Sequence, residues 1–357
     1  MSGKKCVLIA VMLLCLCSPA SGGFSHGEHY GLRQLYAAIR SLESLDGELV
    51  RVYEFGRSVE GRPLPAVRVA LPDGEERGEA LVTAGIHAHE WTSSRVALAM
   101  AERLIRGHGR DEWIDGLLEK TDFYFLPLLN PDGYYRADRH LKLGYTWARD
   151  NADHVDLNRN WPFPEGVKVR DFRAGSNFMW SPHYWGPEPF SEPETRAVEM
   201  FVREHRFYTS INLHTTGGHF TFPWSYKEEN TPHHDIFLAM GAALNEHQEL
   251  YKYKVHPSYD WYQTIGALND WLYGRHGVLS VTVEVAKIEV EDVHPLRVMN
   301  PFWWYNPEDV GKWIDNDCDA VLHAIETACA ETGCRPVRPR QMNWVMGALS
   351  EDSYYEK

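Results

Sequence analysis

In the run Gly85-Ile86-His87-Ala88-His89-Glu90-Trp91 an imidazole and a carboxylate stand three residues apart, directly after an apolar stretch. On a strand-to-helix turn that spacing lets His87 and Glu90 converge on one ion, and an imidazole nitrogen and a carboxylate oxygen are ordinary zinc donors. A catalytic zinc takes three protein ligands and keeps one open position. The third candidate is His214, which closes the run Ser210-Ile211-Asn212-Leu213-His214. Alone these residues decide little, because a histidine at a strand end is commonly a hydrogen-bonded structural residue and His-x-x-Glu recurs by chance. The same run also offers His87-x-His89, the opening pair of a barrel amidohydrolase site, with Glu90 merely starting the helix. That fold needs eight strand–helix units, which the elements below do not supply.

Two further residue types add chemistry. Glu284 ends the run Val281-Thr282-Val283-Glu284-Val285, where partial burial would raise its pKa into the range of a general base; a carboxylate that only caps a strand edge is the plain alternative. Arg159 is flanked by Asn158 and Asn160 and precedes Trp161. A guanidinium held there is a fork for a carboxylate.

These residues need a scaffold. Leu32, Leu35, Tyr36, Ile39 and Leu42 recur at helical spacing, followed by strand-like runs at Val50–Phe55 and Val67–Leu71. Short apolar strands are then predicted at Ala80–Ala84, Phe123–Leu129, Tyr208–Leu213 and Val278–Val283, interleaved with amphipathic helices near 92–107, 191–205, 233–249 and 307–330. Strands alternating with helices predict a single-domain α/β sandwich with a mixed, largely parallel central sheet flanked by helices. His87, Glu90, His214 and Glu284 would share the carboxyl edge of that sheet, where α/β folds place their sites. The stretch from Asn130 to Pro189, rich in Asn, Asp, Gly, Pro and Trp, shows little periodicity and reads as a long functional loop.

The motifs Asn-Pro-Asp-Gly-Tyr-Tyr (130–135), Val-Asp-Leu-Asn-Arg-Asn-Trp (155–161), Leu-His-Thr-Thr (213–216), the stretch Tyr262–Trp271 and Val-Thr-Val-Glu-Val (281–285) follow one another along the chain. With them the sequence resembles the zinc metallocarboxypeptidases of the carboxypeptidase A type, over about residues 28–330. The resemblance implies one Zn2+ held by His87, Glu90 and His214, with Glu284, fourteen residues after Asp270, as general base. It implies that Asp156 orients the His87 imidazole, and that Asn158, Arg159 and Tyr262 receive the free C-terminal carboxylate of a peptide or protein substrate. Three positions depart from the family pattern. Its Trp-Arg pair, whose arginine polarises the scissile carbonyl, appears as Trp147-Ala148-Arg149, so that role is displaced onto Arg149, with Arg136 and Arg139 as substitutes. Asn269 falls on the floor of the pocket for the departing side chain, where an uncharged amide suits polar or broadly neutral residues rather than Lys or Arg. His89 stands where many members carry another arginine. The implied reaction is hydrolysis of the C-terminal peptide bond. A zinc amidase acting on cell-wall peptides and a catalytically weak peptide-binding protein are the competing readings.

Composition bounds the rest. The first residues run from Lys4 and Lys5 through an apolar stretch, Cys6 to about Leu16, into small residues. That reads as a signal peptide over 1–22 and a secreted or periplasmic protein, since the apolar run is shorter than the ~20 residues of a membrane span. A catalytic domain is expected over 24–335, with neither an inhibitory prodomain before it nor a further domain after it, and a tail over 336–357. The chain carries 36 basic and 50 acidic side chains, a net charge of −14, which speaks against nucleic acid or an anionic membrane as partner. A monomer is expected. Of six cysteines, three lie in the leader. Cys318 and Cys329 fall on one helix ~16 Å apart at 1.5 Å per residue, too far for a bridge. Any disulfide therefore includes Cys334, with Cys329 favoured over Cys318 as its mate.

Overall fold

A computed structural model describes residues 29–144, 146–288, 293–294, 297–338 and 343–345. The leader expected at 1–22 and most of the 336–357 tail lie outside the described residues. The apolar runs form strands β1 (Val50–Arg57), β2 (Pro63–Val69), β3 (Gly78–Thr83), β4 (Thr121–Leu126), β6 (Phe207–Thr215), β7 (His219–Phe222), β8 (Lys254–Pro257) and β9 (Leu279–Val285), while β5 (Phe163–Pro164) pairs with β10 (Trp344–Val345) in a separate ribbon. The large sheet has the order β1-β2-β4-β3-β6-β9-β7-β8. Its centre, β4-β3-β6-β9, is parallel; β2 joins β4 and β7 joins β9 antiparallel.

Helices cover both faces, as a parallel centre requires. They are α1 (Leu32–Ser41), α2 (Trp91–Gly107), α3 (Glu112–Leu118), α4 (Pro131–Lys142), α5 (Pro193–Arg203), α6 (His234–Glu246), α7 (Leu268–His276), α8 (Phe302–Tyr305) and α9 (Gly311–Thr332). The architecture is the α/β sandwich the alternation predicts. Cys329 and Cys334 form a disulfide across the left-handed Gly333 that ends α9, and Cys318 is free and buried. Four helices, α3, α4, α7 and α8, escaped the sequence reading. In α4, inside the supposed long loop, the Asn130 side chain accepts from Gly133 N and Pro131 opens the first turn, a local start signal in a stretch otherwise polar. In α7 every residue from Leu268 to Gly274 is buried, so it has no polar face to make a helical period visible.

The two faces of β6 and β9 differ. Ile211, Leu213, Val281 and Val283 belong to the apolar core, whereas Ser210, Asn212, His214 and their neighbours Ser280, Thr282, Glu284 alternate with them and form a polar track. Asn212 Nδ2 donates to Ser280 Oγ at 2.9 Å and to Val281 O at 2.8 Å, and its Oδ1 accepts from Thr83 and Ser210. The track is hydrogen-bonded around Asn212 and ends at His214 and Glu284, which are direct register partners.

Just beyond Glu284 the chain is pinned to α9. The Ala286 amide donates to Tyr253 Oη at 2.8 Å, and that hydroxyl donates to Asp317 Oδ2 at 2.6 Å. Burial, opposed by hydrogen bonds from Tyr253, Gln248 and Asn316, pushes the Asp317 carboxyl up to about 6. An unfolded aspartate, near 3.9, loses its proton at lower pH than the folded one, so the folded state binds more protons between the two values. Stability owed to this group therefore falls as pH rises from about 4 to 6. The Asp317→Asn variant should gain on the wild type in thermal midpoint between pH 4 and pH 7. A midpoint difference independent of pH would show that Asp317 titrates alike in both states.

Candidate metal centre

β3 delivers the chain to Gly85, whose φ of +65° starts the ligand turn and whose Cβ, if present, would meet Ser94 Oγ at 2.9 Å. Asn130 holds the turn from the next strand end, its amide donating to Gly85 O and its side chain to Ile86 O. Glu90 is the N-cap residue of α2 yet makes no side-chain cap, because its carboxylate turns towards the two histidines. Asn306, 215 residues away in sequence, supplies the cap instead: its Oδ1 accepts from Trp91 N at 2.8 Å and Thr92 N at 3.1 Å, and its Nδ2 donates to His89 O at 2.6 Å. No local pattern marks Asn306 for this role.

His87, Glu90 and His214 are all buried, and their ligand atoms lie within 4.8 Å of one another. His87 Nδ1 stands 2.7 Å from Glu90 Oε1 and 3.2 Å from His214 Nδ1, which is 3.0 Å from Glu90 Oε2. His87 Nε2 faces Asp156 Oδ1 at 3.2 Å. With Nε2–H donating to that carboxylate, Nδ1 presents a lone pair to other lone pairs, an arrangement that calls for a cation between them. The spacings are near the ~3.3 Å edge of a tetrahedron with zinc bonds of 2.0–2.1 Å. The residues fit a single zinc ion. Burial opposes the charge on Glu90, but His87 and His214 outweigh it and hold the carboxyl well below its ordinary range. For Glu284 burial prevails and pushes the carboxyl up to about 8.

His87, His214 and Glu284 line one cavity together with Asn158, Arg159, Tyr262 and Asn269. Arg159 is buried; its Nε and Nη2 donate to Arg173 O and its Nη1 to Asn158 O. Of five guanidinium N–H groups, one on each terminal nitrogen is left over among the described residues. Asn158 Oδ1 accepts from Leu268 N at 3.0 Å, and Gly266, at φ +69°, lets the two segments touch, since a Cβ there would lie 2.3 Å from Arg159 O. Asn269 Nδ2 faces Ser225 Oγ and Ser258 Oγ, each at 3.3 Å, and Thr221, Thr264 and Thr282 add uncharged hydroxyls to the lining of the same cavity. Asp270 directs both carboxylate oxygens to Ser225 N.

Arg149 sits beside the ligands: its Nε donates to Asp156 Oδ2 at 2.9 Å and its Nη1 is 3.9 Å from Glu90 Oε1. Arg136 is bound to Asp150 and to the Asn151 carbonyl, and Arg139 packs over the Tyr135 ring.

The family model for zinc carboxypeptidases matches residues 35–303, and the chain belongs to that family. It is 30% identical over 279 residues to carboxypeptidase A4 of Mus musculus, covering 74% of this chain and 64% of that protein. It is 26% identical over 282 residues to carboxypeptidase B2 of Rattus norvegicus, covering 75% and 65%. The chain thus spans just under two thirds of the length of these curated relatives. Among solved structures its fold is shared by thrombin activatable fibrinolysis inhibitor, at a TM-score of 0.70 and 23% identity over 88% of this chain and 77% of that one. Carboxypeptidase A from Helicoverpa armigera shares it at a TM-score of 0.69 and 19% identity, over 91% and 79%.

Because Asp156 fixes the His87 ring, Asp156→Asn should weaken zinc binding about 10–100-fold, read by competition with a chelator. Unchanged affinity would mean that the ring is held by its neighbours alone.

Proposed function

We propose that this chain is a secreted zinc carboxypeptidase, removing one residue at a time from the C-termini of peptides. The observation that carries the reading is that one cavity is lined together by His87 and His214 of the His87–Glu90–His214 cluster, by Glu284, and by Asn158, Arg159 and Tyr262. Zinc, when bound, supplies Lewis acidity, polarising a carbonyl and bringing the pKa of a water to near 7. Glu284, with its pKa pushed up to about 8 by burial, is placed to take a proton from the attacking water and pass it to the departing amine. The two free N–H groups of Arg159 and the unbonded Asn158 amide hold the substrate carboxylate, a charge-assisted pairing that sets the register of the peptide. Asn269, Ser225 and Ser258 then receive the last side chain. Their hydroxyl and amide surface favours a polar, uncharged residue and leaves a Lys or Arg without a counter-charge.

The basic-then-apolar start of the chain supports export to the cell exterior or periplasm. Among the described residues no helix is long and apolar enough to cross a membrane.

The test is a panel of N-blocked peptides differing only in the last residue, each as free acid and as amide. Free acids should be cleaved in a chelator-sensitive manner, with neutral polar ends fastest, and amides should be at least about 100-fold slower. Glu284→Gln should lower kcat by about 10²–10⁴-fold at unchanged zinc content. Equal cleavage of acids and amides rules out a carboxypeptidase.

A further inference from the structure

Trp261 is the largest side chain in the lining of the cavity that also holds His87, His214 and Glu284. The turn Ser258–Asp260 presents it, the Trp261 amide donating to Ser258 O at 3.2 Å. The indole is packed on two sides. His219 lies flat on it, with ring centroids 4.5 Å apart and 5° between the planes, and Tyr262 meets it at 5.2 Å and 65°. Gly217 closes the stack with bare backbone: a Cβ there would lie 3.0 Å from His219 Cδ2 and 3.6 Å from Trp261 Cη2.

His219 is itself fixed. It opens β7, where its register partners are Glu284 on β9 and Lys254 on β8. Pro257 O can only accept, so His256 Nδ1 donates to it at 2.8 Å, and in the neutral ring His256 Nε2 is left as an acceptor. His219 Nδ1 donates to that nitrogen at 2.7 Å. The rings of His256, His219, Trp261 and Tyr262 therefore form a row that starts on the sheet and ends in the cavity wall.

The cavity has a volume of about 40 Å³. At roughly 10–15 Å³ for a water, that is room for about three non-hydrogen atoms. The side chains of Ala, Ser and Thr fit such a space, and those of Gln and Phe do not. The hydroxyls of Thr221, Ser225, Ser258 and Thr264 set the polarity of the lining but are themselves small; its bulk is the indole.

We propose that Trp261 is a specificity-determining residue that restricts the departing residue to a small side chain, Ala, Ser or Thr, and that His219 is the positioning residue that keeps the indole in the lining. This rests on the carboxypeptidase reading above and narrows it: the hydroxyls set the polarity of the last residue and Trp261 sets its size. An indole packed on two rings cannot turn aside for a larger group without giving up both contacts.

The experiment uses the zinc-loaded chain and N-blocked peptides ending in Ser, Gln, Ala or Phe, so that size varies once among polar ends and once among apolar ones. Wild type should favour Ser over Gln and Ala over Phe by about 100-fold in kcat/KM. Trp261→Ala should cut both ratios at least about tenfold. His219→Ala should cut them in the same direction, whereas His219→Phe, which keeps a flat ring against Trp261, should hold them within about threefold of wild type. A merely structural defect would lower all four rates together and leave the ratios alone. Calorimetric affinities for N-acetylserine and N-acetylphenylalanine, which enter the cavity with no bond to cut, are measured beside the rates. Wild-type ratios below about threefold, or ratios unchanged in Trp261→Ala, overturn the role of Trp261; ratios unchanged in His219→Ala overturn that of His219. A wild type that binds N-acetylserine the more tightly of the two yet cleaves no peptide overturns the carboxypeptidase reading and upholds the size limit. A wild type that binds neither and cleaves nothing overturns both.

Discussion

The Asp156 carboxylate is fully buried, and burying such a charge costs several kcal/mol unless it is paired and hydrogen-bonded. Here Oδ1 accepts from His87 Nε2 and Asn158 N, and Oδ2 from Arg149 Nε, with His183 and Arg159 at 3.6 and 3.8 Å. Burial opposes its ionisation, but Arg149, Arg159 and His87 hold its pKa well below the usual carboxylate range. One anion thus sets the tautomer of a metal ligand, fixes the turn that presents Asn158 and Arg159, and neutralises a guanidinium that would otherwise repel a cation. The His87–Glu90–His214 cluster and the donors of Asn158 and Arg159 are two arms of a single electrostatic arrangement.

The sheet makes that arrangement possible. Three parallel strands bring His87, His214 and Glu284 to one edge, and the register of β6 on β9 sets His214 opposite Glu284. The polar track of Asn212, Ser280 and Thr83 beneath them uses side chains that an ordinary parallel core would replace with Val or Ile. Every donor and acceptor that track brings into the interior near Asn212 is matched, so the strands can carry polar residues towards the site without leaving any unpaired.

Much of this was legible in the residues. The alternation of apolar runs and amphipathic helices carries the architecture, because hydrophobic period reports which face is buried. The ligands were legible through the order of several motifs rather than through His-x-x-Glu itself. What stayed hidden has a common cause. Asn306 caps a helix that begins 215 residues earlier, Tyr253 joins Ala286 to Asp317, and Tyr305 meets His89, all through contacts that leave no trace in local spacing. The displacement of Arg149 by one residue was visible, but only the fold shows that the guanidinium is spent on Asp156. Helix α7 was invisible for the opposite reason: burial on all sides erased its period.

The Asn306 cap also bears on the order in which the chain takes shape. Contacts between distant segments form late, after the entropy of closing the intervening loop has been overcome. During synthesis, the turn bearing His87 and Glu90 leaves the ribosome long before the amide that caps its helix, and before His214 as well. Two ligands on an uncapped turn make a poor zinc site. The nascent polypeptide therefore passes through most of its elongation without an assembled ligand cluster, and a product truncated ahead of Asn306 would lack the clasp that closes it.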